Sequence, residues 1–316
     1  MKHWLCYNRV TYQADRNDRP FCSPNRQAMN TSADDIASPM MHNGLALYAI
    51  GAGAPLFLMP YPHGFGRAPI VQEPLAGVLR ELNQRVLSFD PPGTFNTTRP
   101  AQVSMPEMLG CAAEALQALN VSEPLTLIGH SMGGFCALAF ALAQPERINK
   151  LIVIGSLAGA SAIQRQRGLP WGQWLTGRDR LRYIYWGFRL SWGLGGTLAL
   201  HKKMQQLLTW ASHADKRLVP HVAIKPADDH CPAPIRDVWP RTIFAHQLDY
   251  RDRLREIHVP TLICVGRHDP QAPVGCSEEL ANGIPNARLA IFEYSGHYPF
   301  IEERDRFKQT VMEFLA

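Results

Sequence analysis

Leu125-Thr126-Leu127-Ile128-Gly129-His130-Ser131-Met132-Gly133-Gly134 is an apolar, β-branched run that breaks into glycine and serine. Helix-forming residues follow at once, Phe135-Cys136-Ala137-Leu138-Ala139-Phe140-Ala141-Leu142. The stretch reads as strand, sharp turn and helix with a serine at the apex. Such a turn strains the serine backbone. It also brings the residues two before and two after the serine too close for a Cβ, which suits Gly129 and Gly133. A hydroxyl is thereby held out at a strand end, at the positive end of a helix. A lone G-x-S-x-G arises by chance in many chains, but this strand–turn–helix setting makes Ser131 a candidate nucleophile.

A serine hydroxyl needs a general base, and the base needs an orienting acid. With this turn they follow in the order Ser, acid, His, in loops after later strands. His297, in Tyr294-Ser295-Gly296-His297-Tyr298-Pro299-Phe300, directly follows the last apolar run, and it is alone among twelve histidines in doing so. His268 is the next candidate. Asp269, in Val265-Gly266-Arg267-His268-Asp269-Pro270, follows the preceding strand and is the expected acid. A second place for the acid, after the strand that follows the elbow helix, reads Gly155-Ser156-Leu157-Ala158 and holds no carboxylate. Glu302 and Glu303 are the fallback. An oxyanion would need two donors. The expected ones are the N–H of Met132 and an N–H of the loop His63-Gly64-Phe65-Gly66, with Phe65 ahead of Gly64. His63 could instead contact substrate, and shaping the loop is its plainer role.

The chain has 316 residues, 46% hydrophobic and 19% charged, enough for a large core. Its net charge of +5 is too small to argue for a nucleic-acid partner. Seven cysteines, an odd number without a C-x-x-C, point to a reducing compartment. The N-terminus lacks the apolar stretch of a signal peptide, and no run is long enough to span a membrane, so a cytoplasmic protein is expected.

Residues 1–43 read as a polar N-terminal arm. Strands are expected at 44–51, 55–60, 85–89, 125–128, 151–155, 261–265 and 288–293. Helices are expected over 70–83, 104–119, 247–257, 277–282 and 304–315. Nearly continuous apolar strands alternating with helices mean a mostly parallel twisted sheet covered on both faces. Between 157 and 240 the alternation stops and aromatic, helical patterns take over. This stretch is expected to be a helical cap inserted between the core segments 44–156 and 241–316.

The motifs His63-Gly64, Asp90-Pro91-Pro92-Gly93, Gly129-His130-Ser131-Met132-Gly133-Gly134, Gly266-Arg267-His268-Asp269 and Ser295-Gly296-His297 together resemble the α/β-hydrolase fold family over residues 44–316. The resemblance implies that fold and the triad Ser131, Asp269 and His297. It leaves the substrate open, because the family includes esterases, lactonases, C–C bond hydrolases, cofactor-free haloperoxidases and prolyl aminopeptidases. The turn at Asp90 departs from the glycine-rich, polar turn common in the family. The carboxy-terminal region, from Cys276-Ser277-Glu278-Glu279-Leu280 onward, is similar to prolyl-aminopeptidase relatives. Those enzymes hold an ammonium with cap glutamates, whereas residues 157–240 hold none.

The same stretch carries twelve basic and five acidic residues, a local +7 that leaves −2 for the rest. That charge suits an anion better than a cation. The expectation is therefore hydrolysis of an ester or lactone of an apolar, anionic small molecule. A peptidase, a C–C bond hydrolase, a haloperoxidase and a non-catalytic binding module are the alternatives. Trp186, Tyr183 and Tyr298 are the expected substrate-contacting aromatics, although packing the cap onto the sheet accounts for most aromatics there. Arginines interleaved with these aromatics read first as a solvated helix face, with an anionic membrane surface or nucleic acid as the minor reading. Asp228-Asp229-His230-Cys231 fits no common metal spacing, and no phosphate-binding glycine motif is present. No metal and no cofactor are expected.

Overall fold

The computed structural model describes residues 38–61, 69–100, 104–159, 210–221 and 248–316. Eight strands form one sheet in the order β1-β2-β4-β3-β5-β6-β7-β8. They are β1 (Met40–His42), β2 (Leu45–Ile50), β3 (Ala54–Met59), β4 (Gln84–Phe89), β5 (Leu125–His130), β6 (Ile148–Ile154), β7 (Thr261–Gly266) and β8 (Ala287–Phe292). From β4 onward across the sheet every pair is parallel; β1 and β2 join antiparallel at one edge. All six residues of β5 are buried, the pattern of a central parallel strand covered on both faces.

Helices set wholly among the described residues are α1 (Pro74–Glu81), α2 (Met105–Ala118), α3 (Met132–Ala143), α4 (Val274–Gly283), α5 (Pro299–Glu302) and α6 (Arg304–Leu315). Alternate residues of the strands from β2 to β8 feed two separate cores. Leu45, Phe57, Leu87, Leu127 and Val153 pack with α2, α3 and α4, whereas Leu56, Leu58, Val86, Ile128 and Ile152 pack with α1, α5 and α6. The sheet therefore has helices on both faces, as its apolar runs imply. α2 begins where its cap predicts, with the Ser104 hydroxyl accepting from the Glu107 N–H at 3.2 Å.

Three local expectations change. Met40–His42, read as part of the arm, pairs with β2 and extends the sheet. Its three residues are too few to show a period in sequence. The helix expected over 247–257 is a 3-10 turn at Arg251–Glu256, preceded by a bridge between Gly159 and Asp249. The helix expected over 70–83 is a 3-10 turn at Ile70–Gln72 followed by α1, because Pro74 cannot extend a helix that started before it. Of the expected cap, only residues 157–159 and 210–221 are described. Among the described residues no helix is long and apolar enough to cross a membrane.

Candidate active site

Ser131 follows β5 directly and has φ 54° and ψ −121°, a backbone conformation that L-residues rarely adopt. The turn is closed by contacts that require glycine. A Cβ at Gly129 would collide with the Gly133 carbonyl, and one at Gly133 would lie 2.6 Å from the Met59 carbonyl oxygen. The Ser131 N–H donates to the Ile154 carbonyl at 2.8 Å, and the Ser156 hydroxyl donates to the Ser131 carbonyl at 2.7 Å. Both bonds fix the elbow to the end of β6. Ser131 is half-buried, and so is Met132, the first residue of α3. The first N–H groups of a helix have no acceptor within it, so the N–H of Met132 starts without an intrahelical partner.

His297 and Asp269 come from the loops after β8 and β7. His297 Nδ1 lies 2.8 Å from Asp269 Oδ2, with residue exposures of 2% and 5%. An ionised carboxylate only accepts, so Nδ1–H is the donor, which leaves Nε2 as the acceptor of the neutral ring. The other carboxylate oxygen of Asp269 accepts from the N–H groups of Gln271 and Ala272 at 2.8 and 3.0 Å. The carboxylate is thereby held on both sides. A Cβ at Gly155 would lie 3.0 Å from Asp269 Oδ2 and 3.2 Å from His297 Nδ1. The end of β6, which also receives the Ser131 N–H, thus lies against the acid–base pair. Gly155, the first residue of the alternative acid position after β6, is packed against that pair and leaves no space for a side chain.

The remaining candidates separate by location. Glu302 and Glu303, the fallback acids, serve the loop backbone instead. Glu302 Oε2 accepts from the Gly296 N–H at 2.7 Å, and its Oε1 accepts from Ala214 and Asp215 at 2.6 and 3.0 Å. Glu303 accepts from the Tyr294 N–H and the Ser295 hydroxyl. Burial pushes the Glu302 carboxyl above its ordinary range. Tyr298 is half-buried, its ring centroid 5.2 Å from that of His297 and 4.7 Å from that of His213. His63, Gly64 and Phe65, and Tyr183 and Trp186 of the expected cap, lie outside the described residues, as does the 228–231 cluster. No group of three or more His, Cys, Asp or Glu side chains able to hold a metal ion occurs among the described residues.

Sequence reading passed over several residues that shape this site. The Ser212 carbonyl accepts from the His297 N–H at 2.8 Å, and the Ser212 hydroxyl accepts from Gln271 Nε2 at 2.8 Å. The segment 210–221 therefore touches both the acid loop and the histidine loop. Its only prior signal is a short polar cluster, Ser212-His213-Ala214-Asp215, inside an aromatic region. His130 is buried, with Nδ1 2.8 Å from the Tyr61 hydroxyl and Nε2 2.9 Å from the His297 carbonyl oxygen.

The chain is similar to several known proteins. The chain is 30% identical over 285 residues to 2-hydroxymuconate semialdehyde hydrolase of Pseudomonas putida, an alignment covering 85% of this chain and 90% of that protein. It is 28% identical over 284 residues to a 2-hydroxy-6-oxononadienedioate/2-hydroxy-6-oxononatrienedioate hydrolase of Cupriavidus pinatubonensis, covering 84% and 88%. Among solved structures, an alpha/beta fold family hydrolase from Bacillus anthracis superposes with a TM-score of 0.71 at 24% identity, over 88% of this chain and 98% of the other. Residues 61–304 match the family model described as alpha/beta hydrolase fold. The chain belongs to the α/β-hydrolase fold family, and the protein is a hydrolase.

Proposed function

We propose that the protein hydrolyses a carbonyl-bearing small molecule through an acyl-enzyme on Ser131, with His297 as general base and acid and Asp269 as its orienting carboxylate. The observation that carries this reading is the buried 2.8 Å pair of Asp269 and His297, set against the strand end that anchors the Ser131 turn. Ser131 Oγ attacks the carbonyl carbon as His297 Nε2 takes its proton. The carbonyl oxygen becomes an oxyanion that accepts from the Met132 N–H and from a second N–H, that of Phe65 or Gly64. Collapse expels the leaving group, which receives the proton from His297. Water, deprotonated by the same imidazole, then releases the acid and restores the serine.

For the bond that breaks, a C–C bond next to a ketone or aldehyde is the first reading. The two relatives named above are hydrolases of compounds whose names describe a hydroxylated keto or aldehyde carboxylate. The local +7 of residues 157–240 suits such an anion. An ester or lactone is the second reading, because the same pair and the same donors suffice when the leaving group is an alkoxide. A peptidase reading is weakest, since residues 157–240 hold no glutamate to receive a substrate ammonium.

The test assays 2-hydroxymuconate semialdehyde, 2-hydroxy-6-oxononadienedioate and a series of p-nitrophenyl esters with wild type and Ser131→Ala. The expected result is turnover of a keto or aldehyde acid at a kcat/KM at least about tenfold above any ester, and a loss of about a thousandfold or more in the variant. Faster ester turnover moves the bond to the second reading. Turnover that survives in Ser131→Ala removes the acyl-enzyme.

A further inference from the structure

His130 directly precedes Ser131 and is bonded to the main chain of His297, and the steps above give it no role. It is 1% exposed and is bonded through both ring nitrogens. A carbonyl oxygen can only accept, so Nε2 carries the proton and donates to the His297 carbonyl at 2.9 Å. In the neutral ring Nδ1 is then an acceptor, and the Tyr61 hydroxyl donates to it at 2.8 Å. Burial and the neighbouring His297 push His130 well below the ordinary histidine range, so the ring stays neutral. Its centroid lies 4.6 Å from that of His297 and 5.0 Å from that of Phe300.

Three elements meet at this one ring. Tyr61 follows β3 by two residues and opens the loop expected to supply the second oxyanion donor. His130 is the last residue of β5 and is covalently bonded to Ser131. His297 begins the turn into α5. The His297 backbone is also gripped from the other side, where its N–H donates to the Ser212 carbonyl at 2.8 Å. The imidazole of His297 is oriented by Asp269, but its Cα is placed by these two backbone bonds. Of the two, only the bond to His130 is made by a side chain.

We infer that His130 is a positioning residue for the hydrolytic reaction. It locks the main chain of His297 to the nucleophile turn and to the Tyr61 loop, so that Nε2 of His297 is held where Ser131 needs it. The inference rests on the reading of Ser131, Asp269 and His297 as the reacting set. Its physical basis is that a general base misplaced by about 1 Å can cost on the order of a hundredfold in rate. A neutral donor also avoids a second cation beside His297 when that ring takes the serine proton.

The test has two arms. In the first, 15N-histidine NMR of the wild-type protein at pH 7 reads the tautomer of His130, its signal assigned by loss in His130→Phe. A neutral Nε2–H ring is expected; an Nδ1–H tautomer or a cation overturns the proposal. In the second arm, a fluorophosphonate labels Ser131, and the labelling rate is compared among wild type, His130→Phe and His130→Gln. Thermal melts confirm that each is folded at the assay temperature. His130→Phe keeps a ring but no hydrogen bond, and its rate is expected to fall by about tenfold to a hundredfold. His130→Gln has an amide donor and a carbonyl acceptor, and it should recover to within about threefold of wild type, an outcome that a role in packing alone does not give. A folded His130→Phe that labels at the wild-type rate overturns the proposal. Wild-type protein that takes no label instead removes Ser131 as nucleophile and with it the reaction His130 would serve, so the two failures stay distinct.

Discussion

At Asp90 a carboxylate is held 1% exposed at the end of β4. Its Oδ2 accepts from the Tyr48 hydroxyl at 2.7 Å and from the Asn96 N–H at 3.1 Å, while Oδ1 is buried without a hydrogen-bond partner among the described residues. The turn that departs from the family pattern, Pro91-Pro92-Gly93, is thus folded around an inward-facing acid. Burial raises Asp90 from 3.8 to about 6. A group raised on folding contributes stability that is full below its unfolded value and is lost as pH rises through its folded value. The wild type is therefore expected to gain stability over Asp90→Asn as pH falls from about 7 to about 4, by up to roughly 3 kcal/mol. Urea unfolding of both proteins across that range checks it; a difference that does not change with pH would refute the assignment. An acid after a strand is visible in sequence, but the absence of a partner at Oδ1 depends on what surrounds it in space.

Among the elements, the segment 210–221 has the largest consequence for the site. It belongs to the stretch read as cap, yet it is bonded to the loops that carry Asp269 and His297. Glu302 at the end of α5 joins it to Gly296 through both carboxylate oxygens. Glu302→Gln places an N–H₂ where one of those backbone N–H groups needs an acceptor, so one side of the join must break. The expected cost is about 1–3 kcal/mol in unfolding free energy. Turnover should fall by about tenfold with little change in KM, because the base is loosened while most substrate contacts stay. Steady-state kinetics with a short p-nitrophenyl ester separates the two parameters; an increase confined to KM would place Glu302 in substrate binding instead. The existence of α6 was legible from the carboxy-terminal pattern, but the short α5 was not, nor were the Ala214 and Asp215 donors of Glu302, which lie 88 and 87 positions away.

For the whole molecule, charge is distributed unevenly along the chain, with +7 in residues 157–240 and −2 elsewhere. If that stretch receives an anionic substrate, KM for 2-hydroxy-6-oxononadienedioate should rise several-fold between about 20 and about 500 mM salt, as screening shortens the reach of the field. KM for an uncharged p-nitrophenyl ester should stay within about twofold over the same range. Equal salt dependence for both would detach the charge of residues 157–240 from substrate recognition. Seven of the eight strands and their mostly parallel sheet were legible from the chain alone, because apolar strands of a parallel sheet read as nearly continuous runs and sheet connections follow few topologies. The short edge strand β1 and the 3-10 turn at Arg251–Glu256 were not legible, because pairing and packing outweigh local preference there.

By itself the sequence determined the fold family, the elbow at Ser131 and the positions of Asp269 and His297. Each depends on local chemistry: glycines where a Cβ cannot fit, and an acid and a base just after apolar runs. Only the tertiary structure decided that Glu302 and Glu303 are backbone acceptors, that Ser212 and Gln271 join the site, and that His130 donates to the carbonyl of His297. The partners of His130, Ser212 and Gln271 lie far away in the chain, and those of Glu303 lie eight and nine residues back across a turn whose path the packing sets. A side chain's partner is then set by which strand ends the sheet brings together, and no local pattern encodes that.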